Sequence, residues 1–243
     1  MRAKIIAVWG YKGKTTMAVN LAWSLVLYKK DVLVTLLSTN LAFGDIQGFF
    51  GQAIHEQKGL QQALLGESHA RSLLWKAATE GIAKDIYLMT LPNEVDSLYV
   101  ETPTLDQAEK LIEELSSGDH TDYLIVDCSA DLHNPLAGAA LANADTIFCL
   151  HQPGWAAYQW YRGMRSVCEQ LYLSERTKHI IYAQDQSCEV GSYVKELGLE
   201  ITEELPFVAS ARQYESKGLP ICAEESRHTA RYRQTMKGLC ALL

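Results

Sequence analysis

The stretch from Lys4 to Leu25, KIIAVWGYKGKTTMAVNLAWSL, constrains the fold more than any other part of the chain. Ile5, Ile6, Ala7 and Val8 make an unbroken apolar run of strand length. Gly10 to Gly13 bound a turn, and Lys14-Thr15-Thr16 open a segment in which Ala18, Leu21, Ala22 and Leu25 recur at helical spacing. Strand, glycine-bounded turn and helix in that order are the layout of a phosphate-binding loop. The backbone N–H groups of such a turn and of the first helical turn converge on one point, where the helix dipole also favours negative charge. In that layout Lys14 supplies a point charge for β- and γ-phosphates, Thr15 a hydroxyl for Mg²⁺, and Thr16 begins the helix.

The usual pattern places four residues between its first glycine and Gly-Lys-Thr. Here Gly10 and Gly13 enclose only Tyr11 and Lys12, so the loop is two residues short. A shorter loop directs fewer N–H groups inward and curves more tightly. Two readings stay open: a working nucleotide cradle, or a strand-turn-helix that keeps the fold without the ligand.

Composition bounds the alternatives. The 243 residues include only six Pro and sixteen Gly, with no low-complexity run or internal repeat, so one domain over 1–243 is expected. Hydrophobic residues at 48% and charged residues at 21% suit a globular core. The apolar runs are too short to span a membrane, and the start reads directly into a strand rather than a signal peptide, so a cytoplasmic protein is expected. Cys128, Cys149, Cys168, Cys188, Cys222 and Cys240 form no CxxC pair and no His-Cys cluster, which favours reduced, mostly buried thiols and no metal site beyond Mg²⁺. A net charge of −7 disfavours DNA, the one modest basic cluster being Arg227, Arg231, Arg233 and Lys237.

Further strands are expected from Asp31 to Leu37, over Ile86–Met89, Tyr123–Asp127, Thr146–Leu150 and His179–Ala183, and at Glu204–Phe207. Helices are expected over Gly59–Leu65, Ser72–Glu80, Thr104–Leu115, Leu136–Ala142, Ala156–Leu173 and Val190–Leu197, with a closing helix within Arg227–Leu243. Ser38-Thr39-Asn40 follows the second strand. Ligands of open parallel sheets sit outside the carboxyl ends of strands, so these polar residues face the same crevice as the loop. Asp127 ends an otherwise apolar strand, where a carboxylate either holds Mg²⁺ beside Thr15 or caps the following turn. Trp155, Tyr158, Trp160, Tyr161 and Tyr172 crowd one helix, most of them expected in the core, with room for an exposed patch that meets a protein partner. The closing helix is expected to pack rather than to lie on an anionic membrane.

Strands alternating with helices describe an α/β fold, a doubly wound and mainly parallel sheet flanked by helices. The segments GYKGKTTMAVNLAWSL, STNLAFGDIQGFFG, YLIVDCSADL, AGAALANADTIFCLHQPGW and ELPFVASARQYESKGLPI together resemble the MinD/ParA-type P-loop ATPases, and in flavour the CpaE/TadZ-like members that place pili and secretion machinery. The resemblance covers nearly the whole chain. It implies ATP or ADP with Mg²⁺, a homodimer driven by ATP, and a protein partner in a localisation or secretion apparatus at a pole or the inner membrane face. It carries Gly10, Lys12, Gly13, Lys14, Thr15, Thr16, Asp127 and Gln184 over as nucleotide-binding positions, with Thr15 and Asp127 at the metal.

Several positions depart from that pattern. The family's two aspartates after the second strand fall on Ser38 and Asn40, neither of which can take a proton from water near pH 7. Hydrolysis is therefore expected to be weak or absent, unless Asp45 or Asp131 acts as the base. Tyr11 stands where the family has its dimer-spanning lysine, leaving Lys12 as a displaced substitute. Ser129 replaces a proline, and Gln184 stands in for the adenine-reading asparagine. A nucleotide-free scaffold is the alternative reading.

Overall fold

Every residue of strand β1 (Lys4–Gly10) after Lys4 is buried, on both faces. Such a strand needs helices above and below it, which parallel crossovers supply. The computed structural model describes residues 2–52, 54, 59–66, 68–118, 120–182 and 189–243. After β1 the chain runs through α1 (Lys14–Tyr28), β2 (Val34–Ser38), α2 (Leu60–Leu65), β3 (Trp75–Lys76), β4 (Ile86–Met89), α3 (Leu105–Ser116), β5 (Tyr123–Asp127) and α4 (Pro135–Asn143). It continues through β6 (Thr146–His151), α5 (Trp155–Gln170), β7 (Thr177–Tyr182), α6 (Val190–Leu197), β8 (Ile201–Leu205), α7 (Ala211–Glu215) and α8 (Ala230–Ala241).

Among the described residues the strands form one sheet in the order β3-β4-β2-β5-β1-β6-β7-β8. All pairs are parallel except β3 with β4. The expected doubly wound architecture is thus present. Alternation along β1 divides the core: Ile6 and Val8 meet Met17, Leu21 and Leu25 of α1 and Met236 and Leu239 of α8 on one face. Ile5, Ala7 and Trp9 meet Leu111, Leu115, Leu136 and Ala140 of α3 and α4 on the other. Helix α3 begins with a reciprocal cap in which Thr104 accepts from the Gln107 amide N–H and the Gln107 side chain accepts from the Thr104 N–H.

The structure corrects several boundaries. Ser72–Glu80 is not helical: a short 3₁₀ turn at Ala70–Leu73 leads into β3, where Trp75 pairs with Leu88 and Lys76 with Tyr87. The second strand starts at Val34 because Asp31 turns the chain in the left-handed region. The last strand is Ile201–Leu205, ending before Pro206, which has no amide hydrogen to donate to a ladder. Helix α5 stops at Gln170, and Tyr172 adopts a positive φ of 51°. Most of its aromatics make the expected core contacts, Trp160 and Tyr161 against the cluster that holds Trp9, and Tyr158 and Tyr161 against Ala157, Tyr193 and Leu197, though none is fully buried. Ala157 is its one fully buried residue, Trp160 and Tyr161 are half-buried, and Trp155 and Tyr172 are largely exposed.

The C-terminal part is locked to the first helix by Asn20, which has no exposed surface. Its amide nitrogen donates to the Thr16 carbonyl at 2.7 Å and its carbonyl oxygen accepts the Cys222 amide at 2.8 Å. Replacing Asn20 by Ala leaves a buried N–H without a partner, an expected loss of about 1–3 kcal/mol. Urea unfolding checks this: the midpoint should fall while the slope stays unchanged.

Candidate functional site

Parallel pairing places Ser38 of β2 directly opposite Asp127 of β5, and Asp127 opposite Val8 of β1. The carboxyl ends of these strands, with the loop after β1, open into a crevice of about 990 Å³. Gly13, Lys14, Thr15, Thr16, Asn40, Asp45 and Asp127 line it.

The loop owes its path to two glycines. Gly10, at φ 148°, lies so close to β6 that a Cβ would stand 2.5 Å from the Leu150 carbonyl oxygen. Gly13, at φ 81°, precedes α1 in the left-handed conformation, with the Tyr182 ring 3.2 Å from where a Cβ would be. Lys14 folds back so that its ammonium donates to the Tyr11 carbonyl at 3.3 Å. Burial lowers the Lys14 pKa from its usual value, opposed by the nearby Asp127, Cys128 and Asp45.

The Thr15 hydroxyl donates to Asp127 Oδ2 at 2.6 Å, while Asp127 Oδ1 is buried with no partner among the described residues. Burial, reinforced by the Asp45 charge, pushes the Asp127 pKa up to about 7 against the opposing effects of Thr15 and Lys14. An orphaned carboxylate oxygen beside a hydroxyl fits a hard cation, which takes oxygen ligands and would supply the compensating charge. The side chain thus accepts from Thr15 across the crevice and, among the described residues, from no amide of the turn that follows.

Asn40 is held at both ends of its side-chain amide. Its amide nitrogen donates to Asp45 Oδ2 at 3.1 Å, and its carbonyl oxygen accepts the amides of Ala42 and Phe43. The other oxygen of Asp45 is buried without a partner among the described residues, so a carboxylate faces the crevice close to Lys14 and Asp127. Asp131 does not line the crevice. It lies exposed and accepts from His133, whose amide and side-chain hydrogen bonds hold its carboxyl below the usual range.

The other sequence-derived positions are distributed unevenly. Lys12 is exposed, lies 5.4 Å from the Tyr11 ring centroid and lines a neighbouring hollow of about 380 Å³ with Tyr182, Arg212 and Glu215. Tyr11 packs against the cluster of Ala157, Tyr193 and Leu197. Gly10 shapes the loop without lining the crevice, and Gln184 lies outside the described residues.

Sequence reasoning gave Thr39 no role of its own. Buried completely, its hydroxyl donates to the Asp127 carbonyl at 3.1 Å and accepts the Ser129 amide at 2.7 Å, while its own carbonyl accepts Asn134 Nδ2 at 2.6 Å. The pair Asn134-Pro135, a helix cap before a first-turn proline, was the available signal for Asn134.

A sequence profile of a family described as an AAA domain matches residues 3–179. No curated protein matches the chain by sequence. Similar solved structures include the septum site-determining protein MinD complexed with Mg-ADP from Pyrococcus horikoshii, with a TM-score of 0.77 at 17% identity over 98% of this chain and 94% of that one. The MinC:MinD cell division protein complex of Aquifex aeolicus gives 0.76 at 20% identity over 98% and 96%. A ParA family ATPase from Chlorobium tepidum gives 0.75 at 18% identity over 99% and 100%.

The Asp127 carboxyl gives a testable pH signature. Its native pKa near 7 lies above the unfolded value near 4, so the native state binds more protons between those limits and stability falls as pH rises through them. In metal-free protein, Asp127→Asn should remove this slope, worth roughly 4 kcal/mol at most. Denaturant midpoints measured at pH 4.5 to 7.5 for both proteins check it.

Proposed function

The chain belongs to the AAA-domain family matched over residues 3–179 and has the fold of MinD/ParA-type P-loop ATPases, and from that premise we propose that it is a nucleotide-dependent spatial organiser with weak or absent hydrolysis. Residues 1–243 act as one domain. ATP or ADP occupies the crevice as a structural ligand, with Lys14 and the amides from Gly13 to Thr16 on its phosphates and Thr15 and Asp127 holding Mg²⁺.

The observation that carries this reading is the 2.6 Å contact between Thr15 and Asp127, with Asp127 Oδ1 left for a cation. A chain that had abandoned nucleotide would gain nothing from keeping a buried carboxylate at that cost. Weak turnover is supported by Asn40, whose amide bonds Asp45, Ala42 and Phe43 and offers no group able to deprotonate water. The cargo is a protein of a positioning, pilus, secretion or partition apparatus, and two copies meet when nucleotide is bound. A complex with a partner protein is described for the MinD of Aquifex aeolicus. No helix among the described residues is long and apolar enough to cross a membrane, and the apolar side of α8 packs into the core.

The second reading is a nucleotide-free scaffold. It is favoured by one observation, the Lys14 ammonium bound to the carbonyl of Tyr11 in a shortened loop.

Calorimetric titration of ATP with Mg²⁺ into the wild type and Lys14→Ala separates the two. Micromolar binding lost in the variant is expected, with the melting temperature raised by a stabilisation of about 2.7 kcal/mol at one hundred times the dissociation constant. No heat and no thermal shift would leave the scaffold. Phosphate release should stay near background; a rate abolished by Asp45→Asn would make Asp45 the base and the protein an active ATPase.

A further inference from the structure

Cys149 and His151 are two residues apart on β6, so their side chains share a face, and His179 of β7 stands directly across from Cys149 in the parallel ladder. The sheet thus joins two neighbours in sequence to a third residue almost thirty positions later. The thiol and one nitrogen of each ring lie within 4.8 Å of one another, a grouping unique among the described residues. Spacing along the sequence shows no such cluster; the register of β6 against β7 makes it.

The geometry within the cluster is specific. His151 Nε2 faces His179 Nδ1 at 2.9 Å, and the opposite nitrogen, His151 Nδ1, meets the Tyr193 hydroxyl at 3.0 Å. A ring fixed through one nitrogen by an oxygen partner, with the other nitrogen aimed at a neighbouring donor, is the arrangement in which histidines ligate metals.

We infer that Cys149, His151 and His179 form a site for a single zinc-like divalent ion. A thiolate and two imidazoles are a borderline-soft donor set that suits Zn²⁺ and leaves Mg²⁺ unbound. Bond lengths of about 2.0–2.1 Å to nitrogen and 2.3 Å to sulfur put tetrahedral donors roughly 3.3–3.8 Å apart. The two nitrogens, 2.9 Å apart, open slightly, and the sulfur, within 4.8 Å of them, closes to reach that geometry. The thiol proton is released to solvent, and the hydrogen between the rings moves to the outer nitrogen of the imidazole that carries it, so that both rings ligate in the neutral form. A cavity of about 400 Å³ lined by His179, Cys168, Glu169 and Tyr161 opens onto the outermost of the three residues, His179, and gives the route by which an ion would enter. Cys168, half-buried on α5, lies close enough to Cys149 to influence its thiol.

The site is separate from the nucleotide crevice, though not remote from it. Leu150, between the two β6 ligands, presents the carbonyl against which Gly10 is pressed. An ion that stiffens β6 therefore braces the wall of the loop.

The test uses untagged, chelator-washed full chain titrated with Co²⁺ and then with Zn²⁺. Expected is one equivalent of Co²⁺ with a near-ultraviolet sulfur-to-cobalt charge-transfer band and the intense visible bands of tetrahedral cobalt, bleached by Zn²⁺. Cys149→Ser should abolish the charge-transfer band, His179→Gln should weaken affinity at least tenfold, and Cys240→Ser should change neither. Because Cys149 is buried, circular dichroism of the Ser variant accompanies the titration, and the partly exposed His179 supplies an independent variant. Absence of the band in the wild type, or its persistence in folded Cys149→Ser, overturns the site. Binding with visible bands but no charge transfer would place cobalt on surface histidines and overturn it equally. None of these readouts requires nucleotide, so failure here leaves the proposed function untouched, and failure of that proposal leaves the metal site standing.

Discussion

A fully buried carboxylate at the end of β5 is the constraint around which this protein is arranged. Burial of Asp127 is costly, and among the described residues its side chain receives a single hydrogen bond, from Thr15. The chain nevertheless surrounds it with structure: Thr39 seizes its backbone carbonyl, Asn134 holds Thr39, and Lys14 stands near with its charge partly desolvated. Such a cluster keeps a local deficit of hydrogen bonding that the rest of the sheet must outweigh. That deficit is the usual mark of a place intended for a ligand.

The sheet supplies the means. Because β1 lies between β5 and β6, the loop after it meets carboxylate chemistry on one side and the Leu150 carbonyl on the other. The loop's shortness is accommodated by the two neighbouring strands: Gly10 is pinned to β6, and Gly13 sits under the Tyr182 ring of β7. Tyr11 is drawn toward the aromatic cluster of α5 and α6, which leaves Lys12 facing solvent.

Much of this was legible in the sequence. Continuous apolar runs at Ile5–Val8 and Tyr123–Val126 marked buried strands because both faces must be covered, and Lys14, Thr15 and Asp127 line one crevice. What was not legible depended on pairing between distant segments. Trp75-Lys76 has no strand signature of its own and becomes a strand through β4. Thr39 resembled any loop threonine until β2 and β5 were set side by side. The aromatic helix was legible in part: Tyr158, Trp160 and Tyr161 make the core contacts that crowded rings suggest, whereas α5 covers the sheet incompletely and leaves Trp155, stacked on Tyr158, exposed. Cys149 and His179 became neighbours through register alone.

The clasp between Asn20 and Cys222 joins positions separated by 202 residues, and the face of the sheet that α1 covers is completed by α8. Closing so long a loop must precede the contacts that reward it, which makes this half of the molecule slow to assemble. While the polypeptide is being synthesised, the part of α1 that meets α8 waits for a segment made some two hundred residues later. During that interval it is exposed to other chains. The two sides of the central sheet thus mature at different times, the α3–α4 side first and the side bearing the first helix last.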